Sequence, residues 1–193
     1  MDVLNHGIVC GELHAARQHL YDMVRHLSQG ELLWVPRRRD GVSVSYHFGH
    51  IALVEDELVS QSTPDVLIAS ADLRQSFGAH NANNGAARLP SGDVIIDYMQ
   101  RVRERTLGFV AVRFRAIRDA PQAVDAAELF RRIVNHEYMH TKYIRRICRE
   151  LGKPEVEAPP SQLVIADADA LAGPQYRLEG WTATTGGAST TSP

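Results

Sequence analysis

Two histidines four residues apart, His136 and His140, have the spacing of a metal-binding pair. Residues at this spacing lie one turn apart on the same face of a helix, so both imidazoles can reach one ion. The surrounding apolar pattern places both on the buried stripe, where Leu or Ile would be expected. Burying an imidazole is costly unless its ring nitrogens find partners. A metal ion satisfies both rings at once; two core histidines bonded to carbonyls or to each other are the alternative.

A second predicted helix offers the third ligand. His50 lines up with Val54 and Leu58 on the inward stripe of that helix. His47 lies one turn earlier and points the same general way, so we expect it beside the site as a pocket residue rather than a ligand. Gly49 would let a neighbouring helix or a ligand approach closely, because it has no side chain. The predicted metal ligands are His50, His136 and His140.

The stretch HEYMH also matches the zinc-peptidase signature H-E-x-x-H, in which Glu137 would be the general base. The rest of the chain does not support a peptidase. No downstream Glu or His stands at the spacing of that class, and Glu155 and Glu157 follow a helix break. A metal site without a peptidase reaction is therefore the interpretation we favour.

Hydrophobic periodicity predicts the elements that position these residues: four helices, with no strand-like alternation over a useful length. The predicted fold class is all-α, a four-helix bundle. The stretch between the second and third helices contains several Gly and Asn and a Pro, and we expect most of it to be an irregular loop. The predicted helices run from about Leu4 to Leu27, from Ser43 or Ser45 to about Ser60, from Pro90-Ser91 to about Arg118, and through Leu129 to Leu151, and the loop runs from Thr63 to Ser91.

The helical periodicity of apolar residues stops after the fourth helix, and Gly152 and Pro154 should end that helix. We therefore predict one domain over residues 1–154 and a linker with a low-complexity tail over residues 155–193. The stretch from Thr182 to Pro193 is almost entirely Thr, Ser, Ala and Gly. Such a segment buries too little apolar surface to offset its ordering entropy, so we expect it to be disordered.

Composition narrows the class of protein. The 193 residues are 44% hydrophobic and 23% charged, with a net charge of −2, which gives no basic excess for binding nucleic acid. Cys10 and Cys148 are the only cysteines, which fits free thiols in a reducing compartment. We see neither a signal peptide nor a run of about 20 apolar residues for a membrane span. The expectation is a cytoplasmic protein that binds neither membranes nor nucleic acid.

Two segments together resemble a known family. They are SYHFGHIA at residues 45–52 and NHEYMH at residues 135–140, with weaker matches at residues 77–80 and 89–98 between them. Their order and spacing resemble the DinB-like superfamily, and most closely the DinB-type N-terminal domain of ergothioneine synthase-like iron enzymes. The resemblance spans roughly Val9 to Gly152.

The resemblance implies an up-down-down-up bundle whose metal histidines fall on His50, His136 and His140. The superfamily includes thiol-dependent transferases and isomerases that use mycothiol or bacillithiol, and the iron-dependent sulfur-transferring synthases. Some members dimerise through bundle helices, which implies a homodimer here. Two departures argue against the synthase reaction: Lys142 stands where the synthases commonly carry glutamate, and the chain ends where they continue into a large second domain.

These observations predict a metal-dependent enzyme. Three imidazoles leave coordination positions open on a divalent Fe, Zn, Ni or Mn ion, and open positions are typical of catalytic sites. We expect the metal to activate a water or a low-molecular-weight thiol for transfer to a small-molecule substrate. Tyr143 and His47 are the predicted catalytic residues, as a proton donor or ligand-orienting group, and a loop from His80 to Arg88 would cover the opening. The alternatives are an oxygen-dependent non-haem iron enzyme, transferring sulfur or oxidising its substrate, and a non-catalytic, metal-stabilised binding protein.

Overall fold

The computed structural model describes residues 6–37, 41–63, 66–78, 89–116 and 122–157. Within these ranges the chain forms six helices and no strand, in agreement with the predicted all-α class. The helices are α1 His6–Val24, α2 Gln29–Leu32, α3 Val44–Gln61, α4 Ala71–Phe77, α5 Gly92–Ala116 and α6 Gln122–Glu150.

The four long helices α1, α3, α5 and α6 form the bundle. Helices α1 and α3 each pack against both α5 and α6, so all four apolar faces meet in one interior. These four helices correspond to the four predicted from periodicity, and the helical bundle is confirmed. The up-down-down-up topology stays a prediction.

Local signals explain where the long helices begin and end. Of the two serines predicted to cap the second long helix, Ser43 is the cap, since its hydroxyl accepts a hydrogen bond from the Tyr46 amide at 3.2 Å. Helix α6 ends as predicted, because Gly152 adopts a φ of +69° that favours glycine. Helix α1 ends at Val24 rather than Leu27, and a turn connects it to α2.

Two short helices were not predicted. Helix α2 begins with a capping box in which the side chains of Ser28 and Glu31 each accept from the other's backbone amide. Helix α4 lies within the stretch from Thr63 to Ser91, most of which was predicted to be irregular. Ser70 caps it by accepting from the Leu73 amide. Its last residue, Phe77, is fully buried in the core, and this tertiary contact stabilises a helix too short to be recognised by periodicity.

The predicted covering loop, His80 to Arg88, and the predicted tail, Thr182 to Pro193, both lie outside the described residues. In the described ranges, none of the helices combines the length and the apolar character that crossing a membrane requires.

The interior holds two apolar clusters separated by charged side chains. The first contains Leu20, Leu53 and Val102, and the second contains Leu13 and Leu58. On each long helix one charged residue falls at the junction between the two clusters, and we call these four residues the charge layer. They are Arg17 on α1, Glu55 on α3, Arg103 on α5 and Glu137 on α6.

Candidate metal centre

The three histidines predicted as ligands converge inside the bundle. One ring nitrogen from each of His50, His136 and His140 lies within 4.8 Å of the other two. His136 and His140 come from the same face of α6, and His50 faces them from α3. The side chains of His136 and His140 are buried, with 5% and 7% of their surface exposed, and His50 is half-buried. The three rings thus converge as predicted, and their role as metal ligands stays a prediction.

The separation of the two α6 rings suits a shared ion. Nε2 of His136 and Nε2 of His140 lie 3.1 Å apart. Two nitrogens about 2.05 Å from one zinc ion would lie about 2.9 Å apart at a right angle and about 3.4 Å apart at a tetrahedral angle. The observed distance falls inside that interval, and it is also the length of a hydrogen bond between the two rings, the alternative that the sequence left open. The chemistry of the donor set, three imidazoles, fits a divalent transition metal.

A backbone carbonyl orients His50. Its Nδ1 lies 2.9 Å from the carbonyl oxygen of Phe77, at the end of α4. A carbonyl can only accept, so Nδ1 carries the proton and donates it. The neutral ring therefore presents Nε2 with a free lone pair. Metal-binding histidines commonly donate their other ring N–H in this way.

His47 lies beside the cluster, as the sequence predicted, and contacts one of its members. Nδ1 of His47 is 2.9 Å from Nδ1 of His140, and the two rings share one proton in a hydrogen bond. If His140 uses Nε2 to bind a metal, its Nδ1 carries the proton and His47 accepts it. His47 is buried, and its position suits a group that orients His140.

Burial keeps these rings neutral, which is the form that binds metals. Desolvation lowers the pKa of His136 and of His140 well below the ordinary value for histidine, and the neighbouring imidazoles lower both further. Desolvation also lowers the pKa of His47 to about 3. It lowers the pKa of His50, against the smaller opposing effect of the hydrogen bond to Phe77. A buried set of neutral bases is ready to take a cation without first losing protons.

Tyr143 lies at the rim of the cluster. Its ring stacks on His47, with centroids 5.7 Å apart and planes 10° apart, and its centroid is 6.0 Å from that of His140. Half of its surface, 50%, is exposed. Tyr143 therefore connects the buried histidines with the solvent side of the bundle.

The charge layer is a second buried polar cluster, which the sequence analysis missed. Arg17 donates to Glu137 at 2.6 Å and to Glu55 at 2.8 Å. Arg103 donates to Glu55 at 2.9 and 3.0 Å and also to Glu137. Burial raises the pKa of the Glu55 carboxyl, but the charges of Arg103 and Arg17 outweigh it and the pKa ends below the ordinary value. Two cations and two anions thus neutralise each other across four helices.

A signal for this layer was present in the sequence. Arg17 stands between Leu13 and Leu20 on the apolar stripe of α1, and Glu55 stands between Ile51 and Leu58 on that of α3. Charged residues at core positions are rarely buried alone, so they indicate buried pairing. The stripe shows that such residues need partners, but the partners within the layer are 34 to 120 residues apart and become visible only in the tertiary structure.

The charge layer also engages Glu137, the residue that would be the general base of a peptidase. Glu137 is fully buried, and each of its two carboxylate oxygens accepts a hydrogen bond from an arginine. A carboxylate held in this way is not directed at the histidine cluster, although it adjoins His136 in the chain. The structure thus agrees with the sequence argument against a peptidase.

Comparison with known families adds a finding independent of the geometry. A family model described as the DinB superfamily matches residues 12–144. No curated protein matches the chain. The matched region contains all three candidate ligands, His47, Tyr143 and the whole charge layer.

Proposed function

The chain belongs to the DinB superfamily, and from that premise we propose that it is a metal-dependent enzyme acting on a small molecule. The observation that carries the proposal is the convergence of His50, His136 and His140 from two helices. Three neutral imidazoles with open coordination positions are typical of a catalytic rather than a structural metal site. The favoured reaction is transfer of a thiol or water nucleophile, with a low-molecular-weight thiol as the co-substrate.

Each residue near the cluster has a distinct proposed role. His50, His136 and His140 would hold a divalent Fe, Zn, Ni or Mn ion. When bound, such an ion lowers the pKa of a coordinated water or thiol so that it becomes a nucleophile at neutral pH. His47 accepts the Nδ1 proton of His140 and so orients that ring. Tyr143, half-exposed beside His47, is placed to donate a proton to substrate arriving from solvent.

The buried environment supports this chemistry. Apolar side chains of the first cluster lie on the α3 side of the site, and Ile133 and Tyr138 of the second cluster flank His136 along α6. A poorly hydrated interior strengthens the attraction between a cation and its ligands. The same residues also fit the redox alternative, an iron centre that uses oxygen, because imidazole is a suitable ligand for iron as well as for zinc. The identity of the metal decides between the two.

The first experiment is metal analysis of protein purified without a histidine tag. We expect one divalent ion per chain in the wild type and in His14→Ala, whose imidazole is exposed on α1, and much less in His136→Ala. Turnover is then screened with low-molecular-weight thiols, and anaerobic reconstitution with ferrous iron followed by oxygen uptake tests the redox alternative. A wild type that binds none of the four metals contradicts the proposal.

The third alternative, a metal-stabilised binding protein, is separated by one further measurement. In a catalytic site, His136→Ala abolishes turnover and changes the melting temperature of the metal-free protein little. In a structural site, removal of the metal unfolds or strongly destabilises the wild type itself, and no turnover is found for the metal-bound wild type. Parallel melting and activity measurements on His136→Ala and His14→Ala distinguish these results.

A further inference from the structure

The C-terminal end of α4 contacts two side chains that lie one turn apart on α3, those of Tyr46 and His50. The Phe77 carbonyl accepts from Nδ1 of His50 at 2.9 Å, and the neighbouring Gly78 carbonyl accepts from the Tyr46 hydroxyl at 3.0 Å. The Tyr46 ring in turn stacks on His50, with centroids 5.7 Å apart and planes 9° apart. One face of His50 and its Nδ1 are therefore both held through the end of α4.

Gly49 makes this close approach possible. A Cβ atom at position 49 would lie 2.2 to 2.4 Å from three carbons of the Phe77 ring, far inside any van der Waals contact. Phe77 is fully buried, so its ring cannot swing into solvent to make room. The ring would have to move together with its backbone, and with it the carbonyl that His50 contacts. The sequence prediction that Gly49 permits a close approach thus has a definite partner.

The other end of α4 is anchored to the same helix. The Asp56 carboxylate accepts from the backbone amides of Ile68 at 3.2 Å and Ala69 at 2.8 Å, just before α4 begins. The Tyr98 hydroxyl from α5 also donates to Asp56 at 3.1 Å, which keeps that carboxylate in place. Helix α4 is therefore attached at both ends, and its position along α3 is defined.

We infer that α4 is a positioning element for the metal site: through the Phe77 carbonyl it sets the tautomer and ring orientation of His50. Gly49 is part of this arrangement because it has no side chain at the place where the Phe77 ring packs. The inference rests on the proposed function, since it assumes that His50 binds a metal. Hydrogen-bond partners of this kind change metal affinity by about 10- to 100-fold when they are lost, although they never touch the ion.

The direct test compares Gly49→Ala with Gly108→Ala. Both replace a helical glycine, but position 108 on α5 is exposed and an added Cβ meets no atom within 4 Å. Affinity for Zn²⁺ is measured by competition with a chromophoric chelator, and His136→Ala defines the background from other histidines. We expect Gly49→Ala to bind Zn²⁺ about 10- to 100-fold more weakly than the wild type, and Gly108→Ala to bind it equally well.

A second variant covers the case in which Gly49→Ala folds poorly. Phe77→Ala removes the ring that the new methyl group meets while keeping the backbone carbonyl. In the double variant Gly49→Ala/Phe77→Ala, the alanine at position 49 should then cost little affinity beyond that of Phe77→Ala alone. Equal losses from Gly49→Ala with and without the Phe77 ring would overturn the inference.

Hydrogen exchange tests the same coupling in the wild-type protein. If α4 favours metal binding by orienting His50, bound Zn²⁺ must stabilise the docked position of α4 to the same extent. We expect the amides of residues 71–78 to exchange more slowly with Zn²⁺ than without it, and His136→Ala to show no such change. Unchanged protection in a wild type that does bind Zn²⁺ refutes the positioning role alone. A wild type without Zn²⁺ affinity refutes the proposed function.

Discussion

The charge layer and the histidine cluster both bury polar side chains of α3 and α6, and they satisfy them in different ways. In the charge layer each carboxylate of Glu55 and Glu137 receives hydrogen bonds from both Arg17 and Arg103, so the charges cancel within the protein. In the histidine cluster all members are of one chemical kind, and their nitrogens face each other as neutral bases.

The difference shows what each cluster can do. A buried network with balanced charges resists change, because removing one partner leaves an unpaired ion in the core. A group of converging neutral bases directs several nitrogen lone pairs at one place, and a cation can bind them together. We therefore assign the charge layer to holding the four helices together and the histidine cluster to binding. The predictions below test this division.

The largest effect is expected in the charge layer. Glu137→Ala leaves both arginines buried with one carboxylate between them, and we expect the free energy of unfolding to fall by about 3–5 kcal/mol. Glu128→Ala is the matched control on the same helix, since the Glu128 side chain is exposed and pairs with Arg131. Its loss should be at most about 1 kcal/mol. Urea denaturation of metal-free protein gives both values. Similar losses for the two variants would contradict the role assigned to the charge layer in holding the helices together.

The next effect is the stabilisation that metal provides. At a Zn²⁺ concentration 100 times the dissociation constant, the wild type should gain about 2.7 kcal/mol in unfolding free energy, because the metal binds only the folded cluster. His140→Ala should lose this gain, whereas Glu128→Ala should keep it. Thermal unfolding with and without Zn²⁺ measures the gain. If His140→Ala gained as much as the wild type, Zn²⁺ would be binding elsewhere.

The two clusters should also respond to acid in different pH ranges. In metal-free protein the folded-state pKa values of His136 and His140 are lowered by burial, so the unfolded chain takes up protons first as the pH falls below about 6.5. Stability is therefore lost as the pH falls through that range. The lowered pKa of Glu55 contributes a loss only below its unfolded value of about 4.3.

This pH dependence is measured by urea denaturation between pH 7 and pH 5 with a chelator present. Replacing one buried histidine, as in His136→Gln, should reduce the loss over this range by about 2 kcal/mol. His14→Gln, at an exposed position of α1, is measured alongside as the matched control. An identical pH dependence in the wild type and His136→Gln would mean that this imidazole is protonated as readily in the folded state as in the unfolded chain.

The smallest effect on stability is expected at the rim. Tyr143→Phe removes only a hydroxyl from a ring that is half-exposed, so unfolding free energy and Zn²⁺ affinity should change little, by about 0.5 kcal/mol at most. The ring still stacks on His47. Turnover, once a substrate is identified, should fall if the hydroxyl donates a proton. Wild-type turnover in this variant would exclude that role while leaving the metal site intact.

The sequence by itself determined the helical class, the four long helices and the three candidate ligands. These depend on short-range periodicity: spacings of three and four residues decide which side chains share a face, and His136 and His140 share one whatever the fold. The Gly152 helix end and the Ser43 cap are likewise local, because their hydrogen bonds join residues close in the chain.

Only the tertiary structure decided what these faces meet. Helix α4 is too short for a periodic signal, and its contacts with Gly49 and His50 join residues 27 or more positions apart. The partners in the charge layer are just as distant, and a charged residue on an apolar stripe does not indicate which opposite charge it will find. Periodicity describes one helix at a time, whereas pairing between helices depends on how the whole bundle packs.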